Sequence, residues 1–224
     1  MHIPDGYLSP QTYVPLYAAF AGVTAVAIKK SKEKINKKLI PYLGMASAFS
    51  FVIMMFNVPI PGGTTGHATG SAIISLLFGP WIAFLSVSIA LIVQAFVFGD
   101  GGITAIGANC FNIGFVMSIV AWYVFKAIAN KNSSNRKKYL AAFIAGYISL
   151  NIAAIVTAIE FGIQPIIATD ANGNPLYAPY PLKIAVPAMA IEHLLLFGFI
   201  EGIITMIIFK YFLKNDYDII EVLK

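Results

Sequence analysis

The amino-acid sequence predicts an all-α integral membrane protein with seven transmembrane helices, its N-terminus outside and its C-terminus cytoplasmic. Three observations lead there. Hydrophobic residues make up 58% of the 224 residues and charged residues only 11%, with a mean hydropathy of +0.79, a balance foreign to water-soluble domains. No Asp, Glu, Lys or Arg occurs from residue 39 to residue 99, a neutral run that several spans laid end to end account for. The basic residues gather in breaks between apolar segments rather than in a stripe with aromatics, so the formal charge of +5 reports topology and not nucleic-acid binding.

Each span follows from its length. A helix needs about 20 apolar residues to cross a hydrocarbon core of roughly 30 Å, and residues 10–28, 39–56, 80–98, 103–125, 139–163 and 187–213 qualify. A seventh stretch, residues 68–79, is shorter. Lys29, Lys30, Lys32, Lys34, Lys37 and Lys38 form one basic cluster, and Lys126, Lys131, Arg136, Lys137 and Lys138 another; both are expected in the cytoplasm. Two cytoplasmic clusters require an even number of crossings between them, so the short stretch must supply the fourth. Lys210, Lys214 and Lys224 then put the C-terminus inside.

The outer face is left with the first eight residues and the loops 57–67, 99–102 and 164–186. The last of these is rich in turn formers and reads either as a lid or as a plain connector. No internal repeat or low-complexity tract divides the chain, so residues 1–224 are taken as a single transmembrane domain. The opening Met1-His2-Ile3-Pro4-Asp5-Gly6 lacks the cationic start and cleavage site of a signal peptide. Met1 is therefore expected as the mature first residue, its free amine kept because the large His2 disfavours methionine removal. Cys110, the single cysteine, reads as a small buried hydrophobe.

Two of the three histidines, His2 and His67, fall on the outer face. In Met1-His2 the terminal amine, the His2 amide nitrogen and the His2 imidazole close a five-membered and then a six-membered chelate ring around one metal ion. A deprotonated amide is a strong-field donor, and three nitrogens in a plane suit square-planar nickel(II) or copper(II). His67, at the end of the glycine-rich stretch Pro61-Gly62-Gly63-Thr64-Thr65-Gly66, is read as a fourth, the alternative for either histidine being a packed or solvent-facing side chain; an imidazole without a partner in so neutral a run would be costly. Asp5 serves either as an acceptor steadying an imidazole or as a helix cap before Tyr7. Asn57, Thr64, Thr65, Gln94, Asp100 and Asn109 lie near the outer ends of spans and either line the pocket or cap and crosslink helices.

Deeper in the spans, Glu160, Glu192, His193 and Glu201 are ionisable groups, read either as functional or as structural pairs. Glu192 and Glu201 are half a helical revolution out of phase, which argues against a catalytic carboxylate pair. No Gly-x-x-x-x-Gly-Lys-Ser/Thr motif is present, so energy from ATP would have to come from another subunit.

The opening Met1 to Pro10, the stretch Phe49 to His67 and the stretch Phe98 to Asn112 resemble the CbiM/NikM family, and the likeness runs over essentially the whole chain. These are substrate-specific subunits of energy-coupling factor transporters for cobalt and nickel. The resemblance implies seven helices in the cell membrane and a metal, nickel or cobalt, held as transported substrate by Met1, His2 and His67, with no prosthetic group. It also implies a transmembrane coupling subunit, cytoplasmic ATPase subunits and a small accessory membrane protein as partners; Gly44, Ala46, Ala48 and Ser50 offer a small-residue face either for such contact or for internal packing. Nickel is expected over cobalt. The competing readings are a proton-coupled secondary metal transporter using Glu160, Glu192 or Glu201, and an intramembrane metalloenzyme, for which four nitrogens in a plane leave no open coordination position.

Overall fold

A computed structural model describes residues 1–35, 39–215 and 217–224. Lys37 and Lys38 of the first basic cluster lie outside the described residues. Among those described, the chain folds into seven helices joined by short loops. Helix α1 spans Pro10–Ser31, with Pro10 in the first turn, where its missing N–H costs nothing, and Lys29 and Lys30 in the last. Only Ala27 and Ser31 of α1 are buried, so it runs along the rim of the bundle. Helix α2 spans Ile40–Met54.

Strands β1 (Val58–Pro59) and β2 (Thr65–Gly66) form a small antiparallel hairpin, Val58 opposite Gly66 and Pro59 opposite Thr65. The chain then enters helix α3, Ser71–Phe78, all eight residues of which are buried. At about 1.5 Å per residue α3 spans only some 12 Å, so non-helical backbone must fill the remaining depth. Such backbone is tolerated in a membrane only where protein satisfies its polar groups, and the segment before α3 meets that condition. Thr69 N and Gly70 N donate to Glu201 Oε2 at 2.7 and 3.1 Å, and Ser50 Oγ donates to Thr69 O at 2.8 Å. Gly70 adopts φ +69 at the entry to the helix, a left-handed conformation that glycine alone adopts freely.

Helix α4 runs Pro80–Phe98, α5 Ile106–Ile128, α6 Asn135–Ile167 and α7 Leu182–Asn215. These four and α1 are long and apolar enough to span a bilayer, and α2 with the short α3 completes the seven. Each of α4, α5 and α7 contains a π-helical stretch: Gln94–Phe98, Cys110–Val116 and His193–Phe197. Helices α6 and α7 cross closely because a Cβ on Gly146 would meet Thr205 Oγ1 at 2.8 Å and Gly202 Cα at 3.1 Å. Helix α3 packs against α4, α5, α6 and α7, which makes it the centre of the bundle. Cys110 is buried, its Sγ 3.9 Å from Ser88 O.

Most helix ends differ from the expected bounds; α5 and α6, for example, are Ile106–Ile128 and Asn135–Ile167 where the sequence predicts 103–125 and 139–163. Helix α7 starts at Leu182 and contains Pro187, which has no N–H to give to the Lys183 carbonyl one turn back. Residues Gln164–Ile167 are helical, so the outer loop is shorter than 164–186. The small residues of α2 divide: Ala46 and Ser50 face inward, while Gly44 and Ala48 are exposed.

Candidate metal centre

The first residues form an arm sewn into the outer end of the bundle. Asn109 on α5 grips Ile3 from both sides, accepting from its N–H at 2.8 Å and donating to its carbonyl at 3.1 Å; Gly102 N donates to the same carbonyl at 2.8 Å. Asp5 accepts from Ile103 N at 3.0 Å, Thr104 N at 2.8 Å and Thr104 Oγ1 at 2.6 Å. It therefore ties the arm to the α4–α5 loop and neither steadies an imidazole nor caps the arm before Tyr7. Burial alone would raise its carboxyl, but these three donors hold it below the usual value. Farther along, Ser9 N donates to Gln164 Oε1 at 3.0 Å and Ala178 N to Tyr7 O at 3.2 Å.

Held this way, Met1 and His2 are buried, 0% and 3% exposed, against the β1–β2 hairpin. Thr65 receives both: its Oγ1 lies 2.9 Å from the Met1 amine and 3.2 Å from the His2 amide nitrogen, and its carbonyl accepts from the amine as well. From the same hairpin comes His67, 0% exposed, whose ring stacks on that of His2 with centroids 4.6 Å apart and planes inclined by 21°. His67 Nδ1 lies 3.0 Å from the carbonyl of Ala68. A carbonyl only accepts, so the proton sits on Nδ1 and the lone pair on Nε2. That Nε2 is buried with no hydrogen-bond partner among the described residues, as is His2 Nε2. His2 Nδ1 lies 3.2 Å from Asp100 Oδ1, near enough for charge pairing but off the line of a hydrogen bond.

Burial dominates the electrostatics. It pushes the Met1 amine well below its ordinary value, with only partial opposition from Asp100. It lowers His2 against the pull of Asp100, and it lowers His67 further still, helped by the nearby amine and by His2. Asp100 would be raised by its own burial, yet His2, the amine and Asn57 hold its carboxyl below the normal range. Near neutral pH the three bases thus present uncharged nitrogen and the carboxylate stays ionised. Among the described residues no three His, Cys, Asp or Glu side chains converge on one point.

Helix α7 backs the hairpin. Thr64 N and Oγ1 approach Met189 Sδ at 3.5 and 3.8 Å, the Phe197 ring occupies the space where a Cβ on Gly66 would stand, and Glu201 binds the turn after His67. Glu201 is fully buried and therefore works as a clamp on main-chain N–H groups. His193 is also buried, its Nδ1 2.7 Å from Met189 O and its Nε2 without a hydrogen-bond partner among the described residues. Glu192 is half-buried and does not pair with Glu201. Glu160 accepts from Asn112 Nδ2 at 2.6 Å, remote in the chain from the histidines.

Met1, His2, His67, Thr65 and Asn109 thus come together as the sequence suggested, and Thr64 stands behind them. Asp100 proves to be the carboxylate beside His2, a place that the sequence reading gave to Asp5.

Comparison with known proteins decides the family. Residues 2–219 match the family profile described as the cobalt uptake substrate-specific transmembrane region, CbiM. The chain belongs to the CbiM family. Among CbiM relatives, it is 50% identical over 207 residues to the fused nickel transport protein NikMN of Rhodobacter capsulatus, covering 92% of this chain and 59% of that one. It is 29% identical over 227 residues to the cobalt transport protein CbiM of Clostridium tetani, covering 100% and 88%. A crystal structure of a transition metal transporter, 46% identical, superposes with a TM-score of 0.92 over 97% of this chain and 95% of that one. The chain spans 59% and 64% of the two fused nickel transport proteins it matches, from R. capsulatus and Lactiplantibacillus plantarum. It is a multi-pass membrane protein of a metal-transport family.

Proposed function

We propose that this chain, as one substrate-binding domain, captures nickel(II) for uptake as the membrane subunit of an ATP-driven energy-coupling factor transporter. One observation carries the reading: the Met1 amine and the His2 amide share Thr65 Oγ1, while the stacked His67 ring offers a buried, unpartnered Nε2. The ligands are the Met1 amine, the His2 amide nitrogen after loss of its proton, His2 Nδ1 and His67 Nε2. Only Nδ1 closes a six-membered ring with the amide, so Asp100 gives up its neighbour as the metal arrives and remains as a counter-charge. Thr65 Oγ1 sits where the amide proton leaves.

Four strong nitrogen donors in one plane favour a d8 ion, which supports nickel over cobalt; the names of the fused relatives from R. capsulatus and L. plantarum agree. The lysine distribution puts the centre at the outer face and the C-terminus in the cytoplasm. The chain's own residues supply the ligands and no catalysis. Movement of the ion inward then falls to partners: a coupling subunit, for which the exposed Gly44 and Ala48 of α2 leave room, cytoplasmic ATPase subunits, and a small accessory membrane protein.

Cells expressing the chain with and without the ATPase and coupling subunits, assayed for accumulation of nickel and cobalt, test this reading. Uptake that needs the partners and favours nickel is expected. Full uptake by the chain alone in liposomes under a proton gradient would establish the secondary-transporter alternative, with Glu160, Glu192 and Glu201 as its carriers to examine.

A further inference from the structure

A second cavity lies at the end of α3 remote from His67. Its volume is about 230 Å³, and it is lined by Lys30, Ser31 and Lys34 from the end of α1 and the turn after it, by Gly79 to Ile82 at the start of α4, and by Trp122 from α5. Two features of its wall favour an anion. Helix α4 begins at Pro80, which has no N–H, and its first turn contains neither a side-chain cap nor an acidic residue although the helix is 19 residues long, so its leading N–H groups and dipole attract negative charge. Glu221, whose side chain packs on Gly79, is taken up by Lys34 and Lys224. Lys30, its Nζ 5.5 Å above the Trp81 ring, is the lining ammonium with no carboxylate partner among the described residues.

Ser31 is the independent pointer. It is 0% exposed, and its Oγ has no hydrogen-bond partner among the described residues, although the residue is part of this cavity's wall. A buried hydroxyl without a partner costs on the order of 1–3 kcal/mol. Ser31, Lys30 and the first turn of α4 share the one wall and together offer donors for a phosphate oxygen. The two tryptophans that frame the cavity have the amphipathic character of side chains found where hydrocarbon meets headgroup.

We propose that this cavity binds the phosphodiester headgroup of an anionic phospholipid, with Lys30, Ser31 and the first turn of α4 as its donors. The occupant is a lipid because the donors sit at the ends of spanning helices with half-buried Ile119 and exposed Tyr123 continuing the wall, a surface along which acyl chains can run. A basic pocket between spans is also the setting in which anionic headgroups are selected.

The chain's only two tryptophans, Trp81 and Trp122, both line the cavity, so intrinsic fluorescence reads it directly. The purified chain in detergent micelles is titrated with dioleoylphosphatidylglycerol, with dioleoylphosphatidylcholine, and with inorganic phosphate. A saturable emission change is expected with phosphatidylglycerol, at a midpoint about fivefold below that for phosphatidylcholine, the weight of one lysine beside an anionic headgroup. Lys30→Gln should bring the two midpoints together, and Ser31→Ala should raise the phosphatidylglycerol midpoint while metal binding at the other end stays unchanged. Equal midpoints for the two lipids in the wild-type chain would overturn the proposal. So would a phosphatidylglycerol midpoint unmoved in both variants, and so would the same emission change from inorganic phosphate alone, which would make this a free-anion site.

Discussion

Asp100 Oδ1 stands 3.2 Å from His2 Nδ1, so a carboxylate faces the nitrogen that the first dipeptide presents to a metal in the proposed chelate. The contact joins the arm to the α4–α5 loop and fixes the ring whose face lies on His67. Replacing Asp100 with Asn keeps the shape and removes the charge. Affinity for nickel, measured by isothermal titration calorimetry, should fall about tenfold, within the usual cost of losing an outer partner of a metal ligand. An unchanged affinity would leave Asp100 no part in the site.

On the proposed ligand set, His67→Ala removes one of four ligands and leaves the chelate of the arm intact. Nickel should still bind, but about 100-fold more weakly, or roughly 2.7 kcal/mol, and the d–d absorption band should shift as water takes the fourth position. Retention of the wild-type spectrum would mean that the fourth ligand lies elsewhere.

Gly66→Ala tests the support of the hairpin. The added methyl meets the Phe197 ring, so either β2 or α7 must yield. We expect lower thermal stability, by about 1–3 kcal/mol for an overpacked site, together with weaker metal binding because His67 is the next residue. A second change, Phe197→Leu, should restore part of both, and a double variant no better than Gly66→Ala would separate the ring from the effect.

Proton linkage gives a prediction with a definite sign. Burial holds the amine and both imidazoles below their ordinary values, so at neutral pH they bind metal without first shedding a proton, and the amide supplies the one proton lost. Titrations in buffers of different ionisation enthalpy at pH 7 should show release of about one proton per nickel ion. Because that proton leaves on binding, affinity should decline about tenfold per pH unit below neutrality, and more steeply once the depressed imidazoles protonate. The same depressed groups bind more protons when unfolded, so metal-free stability should also fall as pH drops below about 8, where the unfolded amine titrates, and further below about 6.5. Binding unchanged down to pH 4 would contradict the ligand set.

Much of this was legible in the sequence because membrane constraints are severe. The absence of charge from residue 39 to residue 99 and the two lysine clusters fixed the number of crossings, and α3, though only eight residues long, was recovered by parity where length alone would have passed over it. The convergence of Met1, His2 and His67 followed from chelate chemistry and from the cost of an imidazole in a neutral run. Asp5 was misplaced because its nearness in sequence to His2 suggested nearness in space; the turn at Gly6 (φ +80) carries the chain away, and the Ile103 and Thr104 donors claim the carboxylate. The clamp by Glu201 was hidden for a related reason. Its partners are main-chain N–H groups, which every residue but proline owns, so no side-chain pattern announces them. The π-helical stretches leave no composition signal either.

The account stands or falls on the Met1 amine as a ligand. Adding Gly-Pro-Gly before Met1 moves that amine far from His2, and because the proline has no amide N–H the new first residues form no rival run of amide donors ending at the imidazole; nickel bound at equilibrium can be measured by dialysis and elemental analysis. Bound metal should fall by about 100-fold in affinity, while helix content and thermal unfolding of the metal-free protein stay close to wild type. Nickel bound as tightly to the extended chain as to the original would contradict the terminal chelate outright.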